Sequence, residues 1–532
     1  MSRKLGFFAL TAFSVAACSL INAPDDLKPV EDAEGGSGDM SNGGSAGSGA
    51  GKKGNDGGKG GTTNQGDGGA DTTPPNGGTG DVGAGGCGDA CSEGGAPPIG
   101  RDCDVSADDC SGAAPICDAS AGECRPCADS DECASEVGRD FCVTDGKLAG
   151  RCVECTSNDD CNGRTPICGD LGVCRGCGSD DECDSGVCNA NGACALPATA
   201  VYALAETGLT GLPCGTFDQP CRFLADATGQ LTTARSNLVL IKTIKTFNDG
   251  INLPAVKGLR IVGNGVSVSG SAGGVVVPAG ATVAIDNIVL AGSTADDAGG
   301  VVCTGGSINV TNSILRGNTN GIYAKDCDVV VSQSLISANT PTASGSAGIT
   351  SVCTAAHCDK TTSIVRNKFI DNGQAIYLAD QLTATIENNL FLRNGYNGYT
   401  RVLELRSDST RVGYNTLVEN FNNGIYVGIV ACIGGPCDVV GNIAFNNFPG
   451  HPEYADQVMS GGTLTYNLTE ATYPGATNRS GDPKFVDASK ENFTPGPGSP
   501  AIDNGNPSDY PPLDINGKKR GSKPDIGAYE SN

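Results

Sequence analysis

From about residue 200 onward, short apolar runs alternate with Gly/Asn turns at a regular spacing. Eight polar anchors recur with a mean spacing of about 25 residues, and the residue two positions after each anchor is apolar in all eight cases. Two positions before the anchors, seven of the eight residues are apolar, and Gly413 is the exception. The anchors are Asn264, Asn287, Asn312, Gln333, Asn367, Asn388, Asn415 and Asn442.

This period predicts a coil that stacks on itself. Alternate side chains of a strand point to opposite faces, so the apolar positions around each anchor are expected to face inward. Asn tolerates the left-handed conformation at a sharp bend. Amides stacked one coil apart, at about 4.8 Å, can donate and accept hydrogen bonds in a ladder. We therefore expect an all-β fold over residues 200–532, a right-handed parallel β-helix, because a β-sandwich would show shorter repeats joined by hairpins.

Cysteines interrupt the period where loops are inserted. The 34-residue step after Gln333 contains one close-spaced pair, and a later 27-residue step contains another. A further pair is 24 residues apart, about one coil, and is expected to link neighbouring coils. The predicted disulfides are Cys214–Cys221, Cys303–Cys327, Cys353–Cys358 and Cys432–Cys437.

Residues 87–195 hold 18 Cys, 22 acidic and 7 basic side chains, and so supply -15 of the chain's net charge of -25. After the first two Cys, four units of four Cys follow, each with a short acidic turn that runs into its second Cys. Such units are too small to bury a core, and disulfides are expected to replace it. Four Cys allow three pairings per unit, and the sequence leaves these open.

Two metal interpretations compete with disulfides in this region. CxxC pairs at residues 124–127, 152–155 and 174–177 have a zinc-ribbon spacing, but each pair straddles a repeat boundary and the segment has no His. The acidic turns lack the regular ligand ladder of a calcium loop, so Ca²⁺ stays a minor alternative to a solvated acidic face. We expect no metal. The units resemble the short Cys-rich repeats that precede surface domains of exported bacterial proteins, which implies a spacer or interaction module.

The N-terminus resembles a bacterial lipoprotein signal peptide. Arg3 and Lys4 precede a short apolar run, and Val15-Ala16-Ala17-Cys18 resembles a lipobox. The resemblance implies cleavage before Cys18 and acylation of that residue, with residues 1–18 as the signal. Ser19 favours sorting to the outer membrane. Residues 19–86 are Gly/Ser-rich and are predicted to form a disordered tether. The membrane is therefore an expected partner, through the lipid.

The two ends of the β domain resemble known β-helix proteins. Residues 214–225 look like the opening segment of pectate-lyase-like β-helices, and DPKFVD (482–487), GSPAIDNG (498–505), DINGKKR (514–520) and DIGAYE (525–530) look like the closing region of choice-of-anchor Q proteins. The resemblance covers about residues 200–532 and implies an exported β-helix of mostly unassigned activity. Within it, Asp525 and Tyr529 are expected to cap and pack.

Candidate chemistry is sparse. His357 and His451 are the only histidines, and the Asp pair with Gly-His-Gly of β-helix hydrolases is missing. A lyase would need a basic residue to remove a proton and a cation to neutralise the uronate. The weak catalytic candidates are Glu404 and Arg406, which alternation places on one outward face, near Asp408. A surface ion pair is the alternative interpretation.

Tyrosines offer a candidate binding surface. Tyr323, Tyr377 and Tyr426 each follow an Ile that is expected to point inward, so the tyrosines are expected outside on one sheet, where sugars can stack. The acidic net charge disfavours nucleic acid. The sequence favours a cell-envelope lipoprotein without catalytic activity that binds glycans or surface proteins. A polysaccharide lyase or hydrolase is the alternative.

Overall fold

The computed structural model describes residues 110–531 except 111–112, 119, 122, 135–137, 296, 341–346, 355–357, 380–381, 396–400, 408, 422–427 and 449–458. The predicted signal peptide with Cys18, the tether at 19–86 and the first Cys of the repeats lie outside these residues. So do Tyr426, Asp408, His357 and His451. In the described part of the chain, no helix has the length and apolar character that a membrane crossing needs.

From residue 200 the chain winds into a right-handed parallel β-helix with three sheets, A, B and C. Neighbouring strands within each sheet come from successive coils and run parallel. Sheet A contains Ala200–Ala203, Asn237–Leu240, Leu259–Val262, Thr282–Asp286, Ser307–Thr311, Asp328–Ser332, Thr361–Val365, Thr383–Glu387, Ser409–Gly413, Cys437–Val440 and Thr463–Thr465. Sheet B contains Ser267–Val268, Val289–Ala291, Ile314–Arg316, Leu335–Ser337, Lys368–Ile370, Leu390–Leu392, Thr416–Val418, Ile443–Phe445, Leu468–Thr469 and Arg479–Ser480. Sheet C contains Ile251–Asn252, Val275–Val277, Gly299–Thr304, Asn320–Lys325, Ile349–Val352, Ile376–Leu378, Leu403–Leu405, Val430–Cys432 and Met459–Ser460.

The remaining elements of the described residues are short. Four antiparallel hairpins pair Ile116–Asp118 with Glu123–Arg125, Phe141–Cys142 with Cys152–Val153, Ile167–Cys168 with Cys174–Arg175, and Phe485–Asp487 with Asn492–Pro495. One α-helix spans Leu224–Thr228. The 3₁₀ turns are Ser130–Cys133, Gly146–Leu148, Asn158–Asp160, Asp180–Glu182, Pro197–Thr199 and Ala488–Lys490.

Strand alternation builds the interior of the coil. In Thr282–Asp286 the second and fourth residues are buried and the other three are half-buried. The same alternation recurs in Ser307–Thr311 and Asp328–Ser332. Phe369 and Phe391 stack one coil apart inside, with ring centroids at 4.8 Å. Inward-facing residues lie directly above the equivalent residues of the preceding coil. They therefore form one continuous hydrophobic core along the axis of the helix.

Two ladders of buried asparagine side chains fasten successive coils. The first lies between sheets A and B, where the backbone N–H of Asn389 donates to Oδ1 of Asn415 at 2.9 Å and its Nδ2 donates to the carbonyl of Ile364 at 2.8 Å. The second lies between sheets B and C, five residues further along each coil. The first ladder contains Asn367, Asn389, Asn415, Asn442 and Asn467, and the second Asn318, Asn339, Asn372, Asn394, Asn420 and Asn447.

The predicted anchors need a correction, because they fall on two adjacent positions rather than one. Five of them hold the bend itself, with φ between 49° and 53°, and do not stack as a ladder: Asn264, Asn287, Asn312, Gln333 and Asn388. The other three, Asn367, Asn415 and Asn442, come one residue later and belong to the first ladder. Both positions favour Asn, the first for its left-handed backbone and the second for its amide.

This one-residue difference changes which side chains face inward. The apolar residues two positions after Asn287, Asn312 and Gln333 lie on the outer face and are half-buried: Val289, Ile314 and Leu335. Their successors Leu290, Leu315 and Ile336 are the fully buried residues. A shift of one residue in a strand exchanges its two faces.

All four cysteine pairs proposed for the β domain are bonded in the structure: Cys214–Cys221, Cys303–Cys327, Cys353–Cys358 and Cys432–Cys437. The last two close the turn from sheet C to sheet A. In the last three repeat units, the first Cys of a unit pairs with the third and the second with the fourth. This alternation resolves the three pairings that the sequence left open.

The last Cys-rich unit packs on the outside of sheet A. Val187 clusters with Tyr202, Val239 and Val262. Two further contacts hold the unit there: the Tyr202 hydroxyl donates to the carbonyl of Ser185 at 3.0 Å, and Arg260 pairs with Asp180 at 2.9 Å. The chain consequently divides into compact units after Val153, within the predicted repeat region 87–195 and not at its end.

The C-terminal segment packs along the outer face of sheet B. Phe493, Ile515, Ala528 and Tyr529 cluster with the sheet residues Leu390, Leu392 and Val418. Asp525 is buried and accepts hydrogen bonds from the backbone N–H groups of Asp503 and Ser531. The segment therefore lies against the side of the coil.

A buried arginine fixes this segment to the bends. The Arg520 side chain is fully buried and donates to Oδ1 of Asn388 at 2.9 Å and to the carbonyl of Gly527 at 2.7 Å. It also pairs with Glu530 at 2.9 Å and lies 5.0 Å above the ring of Tyr414. Tyr414 occupies the bend position, where its hydroxyl accepts from the backbone N–H of Asn506 at 2.8 Å.

We expect Asn394→Ala to lower the free energy of unfolding by about 2 kcal/mol or more. The change leaves the N–H of Asn372 and the carbonyl of Phe369 without their partners, at 3.1 and 2.9 Å, in a buried site. Urea denaturation followed by circular dichroism measures the loss. Asn309→Ala, at an exposed position of sheet A, is the control and should change stability by less than about 0.5 kcal/mol. Equal effects from both variants would contradict a structural role of the ladder.

We expect alkaline pH to release the C-terminal segment. Burial raises the pKa of Tyr414 to about 12, against about 10 for an exposed tyrosine. The contribution of the neutral phenol is therefore complete below pH 10 and is lost as the pH rises through about 12. Absorbance at 295 nm, with limited proteolysis of the C-terminus, follows the transition. Tyr414→Phe should remove this titration step, and release at the same pH in that variant would exclude Tyr414 as its cause.

Candidate functional site

The outer face of sheet C brings the predicted site residues together. Tyr323 is paired in register with Thr350, Thr350 with Tyr377, and Tyr377 with Glu404, so these four side chains occupy consecutive rungs of one column. We call this column the tyrosine face. Adjacent strands are about 4.8 Å apart, which places the two tyrosines about 9.6 Å apart along the axis.

The tyrosines border a narrow floor. Tyr323 and Tyr377 are half-buried, whereas Thr350 between them is 1% exposed. The Thr350 hydroxyl donates to Oδ1 of Asn320 at 2.8 Å, which fixes the floor to the preceding coil. Burial, together with a hydrogen bond to Asp297, raises the pKa of Tyr323.

Glu404 and Arg406, the weak catalytic candidates, bind each other. The Glu404 carboxylate lies 2.7 Å from the guanidinium of Arg406 and 3.5 Å from that of Arg401. Its side chain is 13% exposed, against 43% for Arg406. This triad is a partly exposed ion-pair network, which orders the end of the column and adds one net positive charge beside Tyr377.

Two buried hydrogen-bond donors in this part of sheet C, one of them in the triad, have no partner. Nε2 of Gln374, in a residue 1% exposed, and Nε of Arg401 are both buried and make no hydrogen bond. Each lies three residues before a member of the column, Gln374 before Tyr377 and Arg401 before Glu404. The pairing of Ile376 with Leu403 sets them on adjacent rungs.

Sequence reasoning missed these two donors, although a pattern was present. Asn320-Gly321-Ile322-Tyr323 aligns with Gln374-Ala375-Ile376-Tyr377, and only the Ile-Tyr part was used. The aligned amides behave differently in the structure. Nδ2 of Asn320 donates to the carbonyl of Ala298 at 2.9 Å, whereas Nε2 of Gln374 makes no hydrogen bond.

In the acidic turns of the Cys-rich repeats, carboxylates accept hydrogen bonds from groups of the same repeat region. Glu132 accepts from Arg125 and from the backbone N–H of Ala128 at 2.7 Å, and the hydrogen bond from Arg125 lowers the pKa of Glu132 to about 2. Arg175 has the same effect on Glu182, whose pKa is also about 2. The Cys trios whose spacing suits a metal are the sulfurs of the disulfides described above. Calcium binding by these turns stays the minor alternative to a solvated acidic face.

Comparison with known proteins identifies the fold. Residues 299–470 match the family model described as the right handed beta helix region. No curated protein matches the sequence. A solved structure, the crystal structure of pectate lyase Pel9A, aligns over 63% of this chain and 100% of that chain at 13% identity, with a TM-score of 0.38.

Proposed function

We propose that this chain is a lipoprotein of the bacterial cell envelope that displays its β-helix and binds glycans on the tyrosine face without cleaving them. The observation that carries the proposal is the column Tyr323–Thr350–Tyr377, in which two tyrosines lie on either side of a buried threonine in one parallel sheet. Sugar rings have apolar faces that pack on aromatic rings and hydroxyls that bind nearby polar groups. Surface proteins of the envelope are a second class of partner that we propose for the displayed β-helix.

The spacing of the rings supports an extended ligand. Parallel strands repeat at about 4.8 Å, so a chain that runs along the column meets an aromatic ring at every second rung. Such a ligand lies across the strands and parallel to the axis of the coil. A linear oligosaccharide of a few residues fits this description better than a compact small molecule.

The ion triad supports binding over catalysis. Glu404 is paired with two arginines, and a catalytic carboxylate in a lyase or hydrolase must be available to exchange a proton or hold a cation. Formation of unsaturated products from pectin, alginate or glycosaminoglycans would instead support the alternative, a polysaccharide lyase.

The proposed location rests on the N-terminal sequence. The lipobox at 15–18 supports acylation of Cys18, and the Gly/Ser-rich residues 19–86 support a tether between the lipid and the folded part. The bonded cysteines of residues 110–194 fit an oxidising compartment. Together with the closing motifs at 482–530, these features support an exported β-helix protein of the choice-of-anchor Q type in the outer membrane.

We expect Tyr323→Ala and Tyr377→Ala each to weaken glycan binding about five- to tenfold, since each removes roughly 1 kcal/mol or more of ring contact. A glycan array selects the ligand and titration calorimetry measures the affinity. Tyr510→Ala, a half-buried tyrosine of the C-terminal segment, is the control and should bind as the unchanged protein does. Unchanged affinity in both column variants would rule out the tyrosine face.

We expect Cys18→Ser to move the protein from the membrane to the soluble fraction of the envelope, because the acyl chains supply the anchoring free energy. Fractionation followed by immunoblotting measures the distribution, and metabolic labelling with a fatty acid reports the modification. Ser19→Ala is the control and should stay labelled. Membrane retention of the Cys18→Ser protein would show that another part of the chain anchors it.

A further inference from the structure

We propose that the N-terminal end of the β-helix docks on an anionic phospholipid surface through a patch of exposed apolar and basic side chains. We call it the entry patch, and it consists of Leu209, Leu212, Phe217, Phe223 and Ile244 with Arg222, Lys242 and Lys245. The proposal goes beyond glycan binding and adds a direct protein contact to the lipid attachment proposed above.

The first observation is the concentration of exposed apolar side chains at this end of the coil. The five apolar residues of the entry patch are 44–97% exposed, and Ile244 is the most exposed of them. Among the described residues after 245, only Val330, Ile433 and Val486 are large apolar residues of comparable exposure. A cluster of exposed apolar side chains marks an interaction surface.

The second observation is that backbone pairing brings the two segments of the patch together. Cys221 pairs with Ala203, in the terminal strand of sheet A, and Leu209 pairs with Cys221. The N–H of Ile241 donates to the carbonyl of the same Ala203 at 2.9 Å. Phe217, Ile241 and Lys242 line one cleft. Residues 209–223 and 241–245 therefore occupy the same end of the coil.

The patch lies outside the cap that closes the core. Leu224 and Ala227, in the short α-helix, are fully buried against the first coil, as is the disulfide Cys214–Cys221. Because these residues already cover the core, the fold does not account for the apolar character of the side chains beyond them. The disulfide also closes the loop that carries Phe217, so this part of the patch is ordered before any contact forms.

The third observation is the local charge. Arg222 lies over the ring of Phe223, 5.9 Å from its centroid, and Lys242 and Lys245 lie on either side of Ile244 in the chain. Residues 200–250 carry four acidic and four basic side chains, whereas the whole chain carries 60 and 35. Apolar side chains interleaved with Lys and Arg suit an anionic membrane interface, where the cations meet phosphates and the apolar groups enter the acyl boundary.

The acids at this end reduce the attraction without cancelling it. Asp226 and Asp249 accept hydrogen bonds from the backbone of the cap segment, from the N–H groups of Gly211 and Leu224. Asp184 lines the same cleft as Lys242 and opposes its charge. Insertion of the apolar side chains must therefore contribute to binding alongside the cations.

The order of the chain supports a membrane as the occupant. The lipobox and the predicted tether precede the β-helix, so the entry patch lies at the end of the coil that the chain joins to the proposed lipid. A flexible tether over residues 19–86 has a root-mean-square length of about 45 Å, which keeps the bilayer at a high local concentration. A weak and reversible contact is then sufficient, and washed membranes still release the Cys18→Ser protein.

An end-on contact leaves the tyrosine face accessible. Tyr323 lies three strands beyond Ile251–Asn252, the first strand of sheet C, or about 14 Å along the axis. Docking would thus hold the coil at the membrane by its end while its side remains open to a ligand.

The test uses the absence of tryptophan from the chain, since a single introduced tryptophan then reports only on its own surroundings. The protein is the processed chain from residue 19 to 532, without signal and lipid, which contains every described residue. Ile244→Trp reports from the patch, and Val486→Trp, at a valine 57% exposed in the C-terminal segment, is the matched control. Vesicles of phosphatidylethanolamine and phosphatidylglycerol should shift the emission of Ile244→Trp to shorter wavelengths, and brominated acyl chains should quench it. Val486→Trp should show neither change.

A second pair of variants tests the cations by vesicle sedimentation. Lys242→Glu with Lys245→Glu should weaken binding about tenfold or more, because each cation near an anionic surface adds to the attraction. Lys519→Glu with Lys523→Glu makes the same charge change on exposed lysines of the C-terminal segment. This control should bind within about twofold of the unchanged protein, since charges away from the contact are screened at physiological salt.

Four outcomes would overturn the proposal. They are unchanged emission of Ile244→Trp with vesicles, equal shifts in both tryptophan variants, equal losses in both lysine pairs, and equal affinity for vesicles of phosphatidylcholine alone. A shift of Ile244→Trp emission with protein concentration, in the absence of lipid, would instead make the patch a contact between copies of the chain. None of these measurements needs acylation or a glycan, so their failure and the failure of the proposed function are distinguishable.

Discussion

The hydrogen bond from one asparagine to the next coil is the constraint on which the rest of the structure depends. A solenoid turn buries backbone groups at its corners that no strand partner reaches, and each must be paired. At two corners of the described coils, a side-chain amide provides those partners and receives its own from the coil beside it. Because Asn394 pairs with both Asn372 and Asn420, the register of one coil fixes that of the next. The columns on the outer faces follow from this register.

The sequence was sufficient to predict the fold class because period and alternation are properties of the chain itself. The sequence could not show which of two adjacent positions forms the ladder, and this failure also has a physical cause. Bend and ladder residues are neighbours, and both accept Asn, as Asn388 and Asn389 show side by side. In other coils Arg366, Tyr414 or Gly441 occupies the bend. The residue type then no longer identifies the bend position, and only its positive φ angle does. The second ladder could have been found, since it follows the first at a constant five residues.

The site was partly predictable for the same reason. Tyr323 and Tyr377 follow inward-facing isoleucines, so alternation alone places them outside, and pairing then adds Thr350 and Glu404 to their column. The environment of Gln374 could not be predicted from the sequence, because the burial of its polar side chain depends on neighbouring coils. The packing of the C-terminal segment was equally hidden. Its contacts join residues more than a hundred positions apart, such as Asn388 and Arg520.

That long separation has a consequence for biogenesis. A chain synthesised from its N-terminus completes the coil around Leu390 and Val418 before Phe493 and Tyr529, their partners, have been added. During this interval one flank of the solenoid presents an apolar strip to water and to other nascent copies. The C-terminal segment thus covers an apolar surface that the earlier coils leave open.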